Sequence, residues 1–249
     1  MLVYLAGEVY GKELFQEVGY NFNRLDSFFY TKKSKLWTEK IVNYNNHILD
    51  SGAFTFIMAK SSKKVDIDSF TDEYIDYINH NNIELFFEMD VDSIFGYDKV
   101  KKLRARIERN TGKRSIPVFH TKRGLDDWKY ICKDYDYIAL GIAGKDVAWG
   151  DADAFHRFVL SAQEHNTNVH GLGITGMKSL RKVPFYSVDS SSWTSGNRYG
   201  GAMHFFNGKE IKIKPKPAGL KISNHYALAR HNLKSWMAFA ESLKNKKII

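Results

Sequence analysis

The chain has 249 residues, 43% hydrophobic and 26% charged, with 37 lysines and arginines against 28 aspartates and glutamates, a formal net charge of +9. That length can bury a sizeable core, and no apolar run approaches the roughly 20 residues of a membrane span, so a membrane-spanning protein is excluded and a soluble, cytoplasmic one without a signal segment is expected. The single cysteine, Cys132 in WKYICKDY, excludes an internal disulfide and a cysteine-built zinc site and reads as a buried structural thiol.

In chain order, LVYLAG (2 to 7) predicts a first strand and KLWTEKIVNYNN a helix. The strand HILDSGAF (47 to 54) carries Asp50 at its end, and SFTDEYIDYINHNN predicts a helix capped by Asp68 or Ser69. IELFFEMD (83 to 90) is a strand ending on Asp90, with Asp92 just beyond. In the basic run KVKKLRARIERNTGKR (99 to 114), Val100, Leu103 and Ile107 fall at helical spacing, which sends the cations to a solvated outer face.

SIPVFH (115 to 120) ends on His120, LDDWKYICKDY predicts a helix, and YIALGIAG (137 to 144) ends on a glycine pair, Gly141 and Gly144. A helix over DADAFHRFVLSAQEHN, capped by Asp151, leads to the strand NVHGLGI (168 to 174) with Gly173 near its end. FYSVD (185 to 189) ends on Asp189 and runs into SSSWTSGNR. An eighth strand is expected within AMHFF (202 to 206) or EIKIK (210 to 214), and SNHYALARHNLKSWMAFAESLKNKK predicts a long C-terminal helix. KIKPKP (212 to 217) projects Lys212, Lys214 and Lys216 from an extended, proline-broken loop suited to phosphate contact.

Strict alternation of near-continuous apolar strands with helices indicates a helix-covered parallel sheet, and seven or eight units favour an α/β fold of the (β/α)8, TIM-like type. With no linker or internal repeat, residues 1 to 249 are expected to form one domain. In such a barrel the working side chains project from the C-terminal strand ends. Singly, each polar strand end has a bland reading: an aspartate caps the next helix, a glycine serves a turn, a histidine is buried and hydrogen-bonded. GLGITG matches GxGxxG but comes late and lacks an acidic residue about 20 positions on, so dinucleotide binding is set aside.

Together they place carboxylates, a histidine and bare backbone on one rim. Two carboxylates suit displacement at an anomeric carbon, one as nucleophile and one managing the leaving group's proton. Open glycine backbone suits a planar ring with hydrogen-bonding edges, and a nucleoside substrate is indicated.

These residues resemble a known family. DSGAF (50 to 54) resembles the DSGGF or DSGAF signature of the tRNA-guanine transglycosylases, (β/α)8 enzymes that exchange a guanine in a polynucleotide for a 7-deazaguanine. The resemblance implies Asp50 as general acid/base and, through FFEMD, Asp90 as the residue reading the guanine edge. His120 stands where the family has a base-contacting glutamine, a departure. GIAG (141 to 144), with Gly141 and Gly144, looks like the loop whose backbone contacts the base, and GLGITG, with Gly173, like the glycine-rich strand end after it. SVDSSSWTSGNRYG resembles the segment carrying the nucleophile and a downstream arginine, which implies Asp189 and Arg198. Ser190 is then expected to orient the nucleophile or sugar, Trp193 to stack on a flanking base, and Arg198 to hold a phosphate.

The family's tRNA enzymes carry a zinc-bearing subdomain, which a chain with one cysteine is expected to lack; no metal or other cofactor is expected. Compact zinc-less relatives in phages and bacteria place 7-deazaguanines into DNA. The expected partners are therefore DNA, gripped locally by Lys212, Lys214 and Lys216, and a 7-deazaguanine base, with no membrane. Three alternatives remain: the same chemistry on tRNA, a two-carboxylate glycoside hydrolase, and a catalytically inactive nucleic-acid-binding barrel.

Overall fold

The computed structural model describes residues 1–7, 10–32, 44–53, 55–56, 66–141, 151–199, 201–216 and 223–244. Seven strands, β1 (Leu2–Ala6), β2 (Asn23–Ser27), β3 (Asn46–Asp50), β4 (Val118–Phe119), β5 (Tyr137–Leu140), β6 (Asn168–Gly171) and β7 (Ser187–Ser190), form one sheet in the order β3-β2-β1-β7-β6-β5-β4. Every pairing in it is parallel. At the β3 edge a parallel bridge joins Leu49 to Phe86, and a second joins Phe87 to Ile116, two residues ahead of β4. The Leu49 N–H donates to the Leu85 carbonyl at 2.9 Å and the Ile116 N–H to the Phe86 carbonyl at 2.8 Å. The chain is thus an α/β fold built on a curled parallel sheet.

The side chains sort by strand parity. On the concave face Tyr4, Ala6, Leu25, Ile48, Phe87, Ile116, Val118 and Ala139 pack as one cluster. The alternate residues, among them Val3, Leu5, Leu49, Phe119, Ile138 and Val188, join two clusters with the helices outside. Burial on both faces is why the strands read as continuous apolar runs.

Helices separate the strands: α1 (Gly11–Val18), α2 (Phe28–Thr31), α3 (Ile67–His80), α4 (Asp92–Phe95), α5 (Tyr97–Thr111), α6 (Leu125–Asp134), α7 (Ala152–Gln163), α8 (Met177–Lys182) and α9 (Ser195–Arg198). The 20-residue α10 (His225–Lys244) follows, burying Leu233, Trp236, Phe239 and Ala240 in the larger outer cluster. Asp151 caps α7 as expected, accepting from the Asp153 and Ala154 N–H groups. On α3 the cap is Asp66 rather than Asp68 or Ser69, its carboxylate accepting from the Ser69 N–H at 2.9 Å. In α5, Val100, Leu103 and Ile107 are buried; Lys99 and Arg106, with Lys113 and Arg114 just beyond the helix, pair with Asp68, Asp72, Glu84 and Asp134. These cations make a locally paired outer face, but Arg104 departs from expectation: it is buried and turns inward onto Glu88. Residues 35–43 of the expected KLWTEKIVNYNN helix lie outside the described residues.

Three strand expectations differ. IELFFEMD (83 to 90) forms no strand of its own and contributes only the isolated bridges at Phe86 and Phe87. AMHFF and EIKIK form an antiparallel pair of their own, β8 (Met203–Phe206) with β9 (Ile211–Lys214), apart from the main sheet. The strand that sequence reading lacked is β2, NRLDS, whose Arg24 and Asp26 are 2% and 3% exposed. The two pair at 2.5 Å, His47 lies 3.2 Å from the same carboxylate, and Arg24 donates to the Leu5 carbonyl at 3.0 Å. Burial would raise the Asp26 pKa, but Arg24 and His47 outweigh it and hold it below its usual value. A strand with alternating charges is buried because those charges cancel inside.

Candidate active site

The C-terminal strand ends bring Asp50, Asp90, His120, Gly141, Gly173 and Asp189 to one rim of the sheet. Ile48, Val118 and Ala139 line the concave face, so Asp50, His120 and Gly141, each two residues on, continue it.

Asp50 ends β3. Its Oδ2 accepts from the Gly52 N–H at 3.0 Å. Gly52 sits at φ 64°, and a Cβ there would lie 2.7 Å from the Phe29 Cβ, so only glycine makes this turn. Burial pushes the Asp50 carboxyl up to about 6; the Gly52 N–H opposes this, and the negative charges of Asp189 and Asp90 add to it. Each carboxylate on the rim therefore lies within the electrostatic reach of Asp50.

Asp189 is held by a backbone N–H and a histidine. The Gly173 N–H donates to its Oδ1 at 2.6 Å, from a left-handed glycine at φ 66°, and His170 Nε2 lies 3.3 Å from the same oxygen. His170 is fully buried, with Nδ1 2.6 Å from the Ser187 hydroxyl, which lies 2.5 Å from the Tyr137 hydroxyl.

Asp90 is held by cations and cation-capable groups. His120 Nε2 lies 2.9 and 2.8 Å from its two oxygens, and Arg123 is 3.3 Å from Oδ1. The Arg123 side chain, 2% exposed, also reaches Asp92 at 2.9 Å and the fully buried Glu88 at 3.2 Å, donates to the Val118 carbonyl, and stacks 4.4 Å over the Tyr97 ring. Arg104 meets Glu88 from the other side at 3.1 Å. For Asp92, burial is outweighed by the Arg123 hydrogen bond and charge, and its pKa falls. For Glu88, burial wins over both arginines and its pKa rises.

Asp90, Asp92 and His120 place their ligand-type atoms within 4.8 Å of one another, a spacing that could hold a metal ion. Arg123 and Lys122, the latter 3.3 Å from Asp92, already match that charge, and a divalent ion would be set against the guanidinium. The cluster is chemically an ion-pair network.

The other expected site residues divide. The His120 ring, 4% exposed, turns onto Asp90 and against Gly141, where a Cβ would lie 2.6 Å from its Cε1. Its hydrogen bond thus goes to the Asp90 carboxylate rather than out into the rim. Trp193 is fully buried and donates from Nε1 to the Ala6 carbonyl at 2.7 Å, which leaves no face for the expected stacking on a base. Ser190 is buried, its hydroxyl accepting from the Ser192 N–H at 3.1 Å and lying 3.4 Å from the Thr175 hydroxyl, so it shapes the loop. Arg198 is exposed at the end of α9, with a guanidinium nitrogen 3.3 Å from where a Gly7 Cβ would stand beyond β1. Lys212, Lys214 and Lys216 are exposed, and Lys212 pairs with Glu210 at 2.6 Å. Gly144 lies outside the described residues.

Sequence reading missed Arg123, His170, Ser187 and Tyr137. A signal existed for Ser187, which stands two residues before Asp189 in an apolar strand and so shares its face.

No protein-family model matches the chain, and no curated protein matches it. Among solved structures it is similar to "QR15, an Aldolase", at 14% identity and a TM-score of 0.45 over 77% of this chain and 89% of that one. Likeness at that level carries no chemistry across. Among the described residues no helix is long and apolar enough to cross a membrane.

Proposed function

We propose that the protein is a DNA-guanine transglycosylase, exchanging guanine for a 7-deazaguanine by double displacement on an eight-stranded (β/α)8 barrel. For the barrel, the bridges from Leu49 through Phe86–Phe87 to Ile116 supply an eighth parallel segment between β3 and β4. For the chemistry, the observation that carries most weight is the pair Asp50 and Asp189 on one rim, with the Asp50 carboxyl at about 6. A group titrating there gives and takes a proton near neutrality.

An Asp189 oxygen attacks C1′ of the target nucleoside while the C1′–N9 bond breaks. Its electron pair leaves with guanine, which takes a proton from Asp50. The incoming deazaguanine returns a proton to Asp50 as its ring nitrogen attacks C1′ from the vacated face, and the Asp189 carboxylate departs. Two inversions retain configuration. Asp90, an acceptor oriented by Arg123 and His120, fits the donor N–H groups of a guanine edge. A duplex must present its base flipped out. With Trp193 buried, the exposed aromatic of the same segment is Tyr199, 83% exposed beside Arg198.

The test offers labelled guanine or a 7-deazaguanine with single-stranded DNA, duplex DNA and unmodified tRNA. Incorporation into DNA is expected. Incorporation into tRNA alone would move the proposal to that polymer, and none into any would remove it.

A further inference from the structure

Beneath the rim lies a polar chain that the exchange scheme does not use. His170 is fully buried on the concave face, flanked by the Tyr4 ring edge-on at 5.9 Å and the Phe87 ring at 5.4 Å. Its titratable neighbours are Asp189 through Nε2 and Tyr137, whose hydroxyl lies 3.5 Å from Nδ1, with Tyr4 facing the ring. Ser187 links Nδ1 to the Tyr137 hydroxyl. Burial raises the pKa of Tyr137 well above its usual value and raises that of Tyr4, so both remain protonated.

One arrangement of protons satisfies every member. The Asp189 carboxylate only accepts, so Nε2 carries a proton and donates to it. Among the described residues, the Tyr137 hydroxyl contacts only Ser187 Oγ and His170 Nδ1, so its proton must run toward the histidine. Tyr137 then donates to Ser187, and Ser187 to an unprotonated Nδ1. An imidazolium would reverse the Ser187 bond and leave one of the two hydroxyl protons, that of Ser187 or of the half-buried Tyr137, without an acceptor among the described residues.

The geometry points to His170 as a positioning residue for the nucleophile, kept as the neutral Nε2–H tautomer by Ser187 and Tyr137. This rests on the reading of Asp189 as nucleophile. The consequence for that carboxylate is asymmetric: both donors, Gly173 N–H and His170 Nε2–H, engage Oδ1, and Oδ2 is left to attack. A neutral donor orients the group without placing a full positive charge beside it, so nucleophilicity is retained. The tautomer of a histidine is set by what its other nitrogen bonds to, and here two buried hydroxyls set it.

Two measurements test this. In the wild-type protein, nitrogen NMR of His170 at about pH 8, where the ring is compared as tautomers, should show Nε2 protonated and Nδ1 unprotonated. A protonated Nδ1 there would overturn the proposal whatever the enzyme's substrate. In the exchange assay, His170→Leu should lower kcat about ten- to a hundredfold, the usual loss for a partner that orients a working ligand, with KM for the base unchanged. His170→Gln, whose amide N–H can reach the same oxygen, should recover most of the rate. Exchange by wild type with undiminished kcat in His170→Leu sinks the positioning role alone. Absence of exchange in wild type sinks the transglycosylase reading and leaves the NMR test standing.

Discussion

Asp50 and Asp90 share one rim and one side-chain chemistry, yet their surroundings are opposite. Around Asp90 are Arg123 and His120, with Glu88 and Arg104 beneath and Asp92 and Lys122 beside. Around Asp50 there are a backbone N–H and the Ser27 hydroxyl, outweighed by burial and two other carboxylates. The first setting supplies cationic partners for a negative charge; the second opposes one. Two aspartates can therefore divide labour, one reading an edge and one exchanging a proton, with no difference in their own structure. Asp189 differs from both, bonded by a backbone N–H and by His170.

The largest effect expected from breaking this division is at the third carboxylate. Asp189→Ala should abolish labelled-guanine exchange and trapping of a covalent adduct while leaving the circular dichroism unchanged. Full activity in that variant would end the nucleophile assignment. Next comes the cationic side. Arg123→Gln removes the partner shared by Glu88, Asp90 and Asp92, and should cost about 3–5 kcal/mol in urea unfolding, the usual penalty for stranding one half of a buried ion pair. In assays kept below its lower unfolding midpoint it should also lose discrimination for guanine-like bases. A loss under about 1 kcal/mol would mean that water already solvates the cluster.

Asp50→Asn sharpens the other side, in chemistry and in stability. Turnover should stall while binding persists, and wild-type kcat/KM should show an inflection near pH 6 that the variant lacks. For stability the folded carboxyl titrates above its unfolded value of about 3.9, so the folded state holds the proton more tightly. That stabilisation is full below about pH 4 and is lost as pH rises through about 6, where the buried charge becomes a cost. Asp50→Asn should therefore be more stable than wild type at pH 7 to 8 by about 1–3 kcal/mol, the gap closing toward pH 4. A gap that stays constant with pH would disprove the shifted carboxyl. The smallest effect lies on the surface: Tyr199→Ala should weaken single-stranded DNA binding by about 1 kcal/mol without changing which base is exchanged, whereas Trp193→Ala should act through stability. Fluorescence titration and thermal melts separate the two.

Much of the sheet was legible in the chain. Six of its strands coincide with apolar runs bounded by turn residues, because a parallel strand covered on both faces must be apolar throughout. β2 escaped because Arg24, Asp26 and His47 satisfy one another across two strands, a pairing between residues about 20 apart that no local pattern announces. AMHFF and EIKIK carried strand signals but no information about their partners, and they pair with each other. Trp193, in a loop of hydroxyls, reads as a surface aromatic until its indole is found bonded to Ala6, 187 residues away.

What the sequence by itself determined is which residues stand at the strand ends: Asp50, Asp90, His120, Gly173 and Asp189 close apolar runs, and strand parity with parallel order carries them to one rim. What only the tertiary structure decided is the condition of each. Asp90 is charge-matched by Arg123, 33 residues on, and Asp189 is held through His170, 19 residues back, by hydroxyls from two further strand positions. Asp50 rises to about 6 through burial and through carboxylates that meet it only in the fold. Covalent chemistry is written residue by residue, but the free energy of a charge depends on the dielectric and on neighbours in space, and these come into being when the sheet curls.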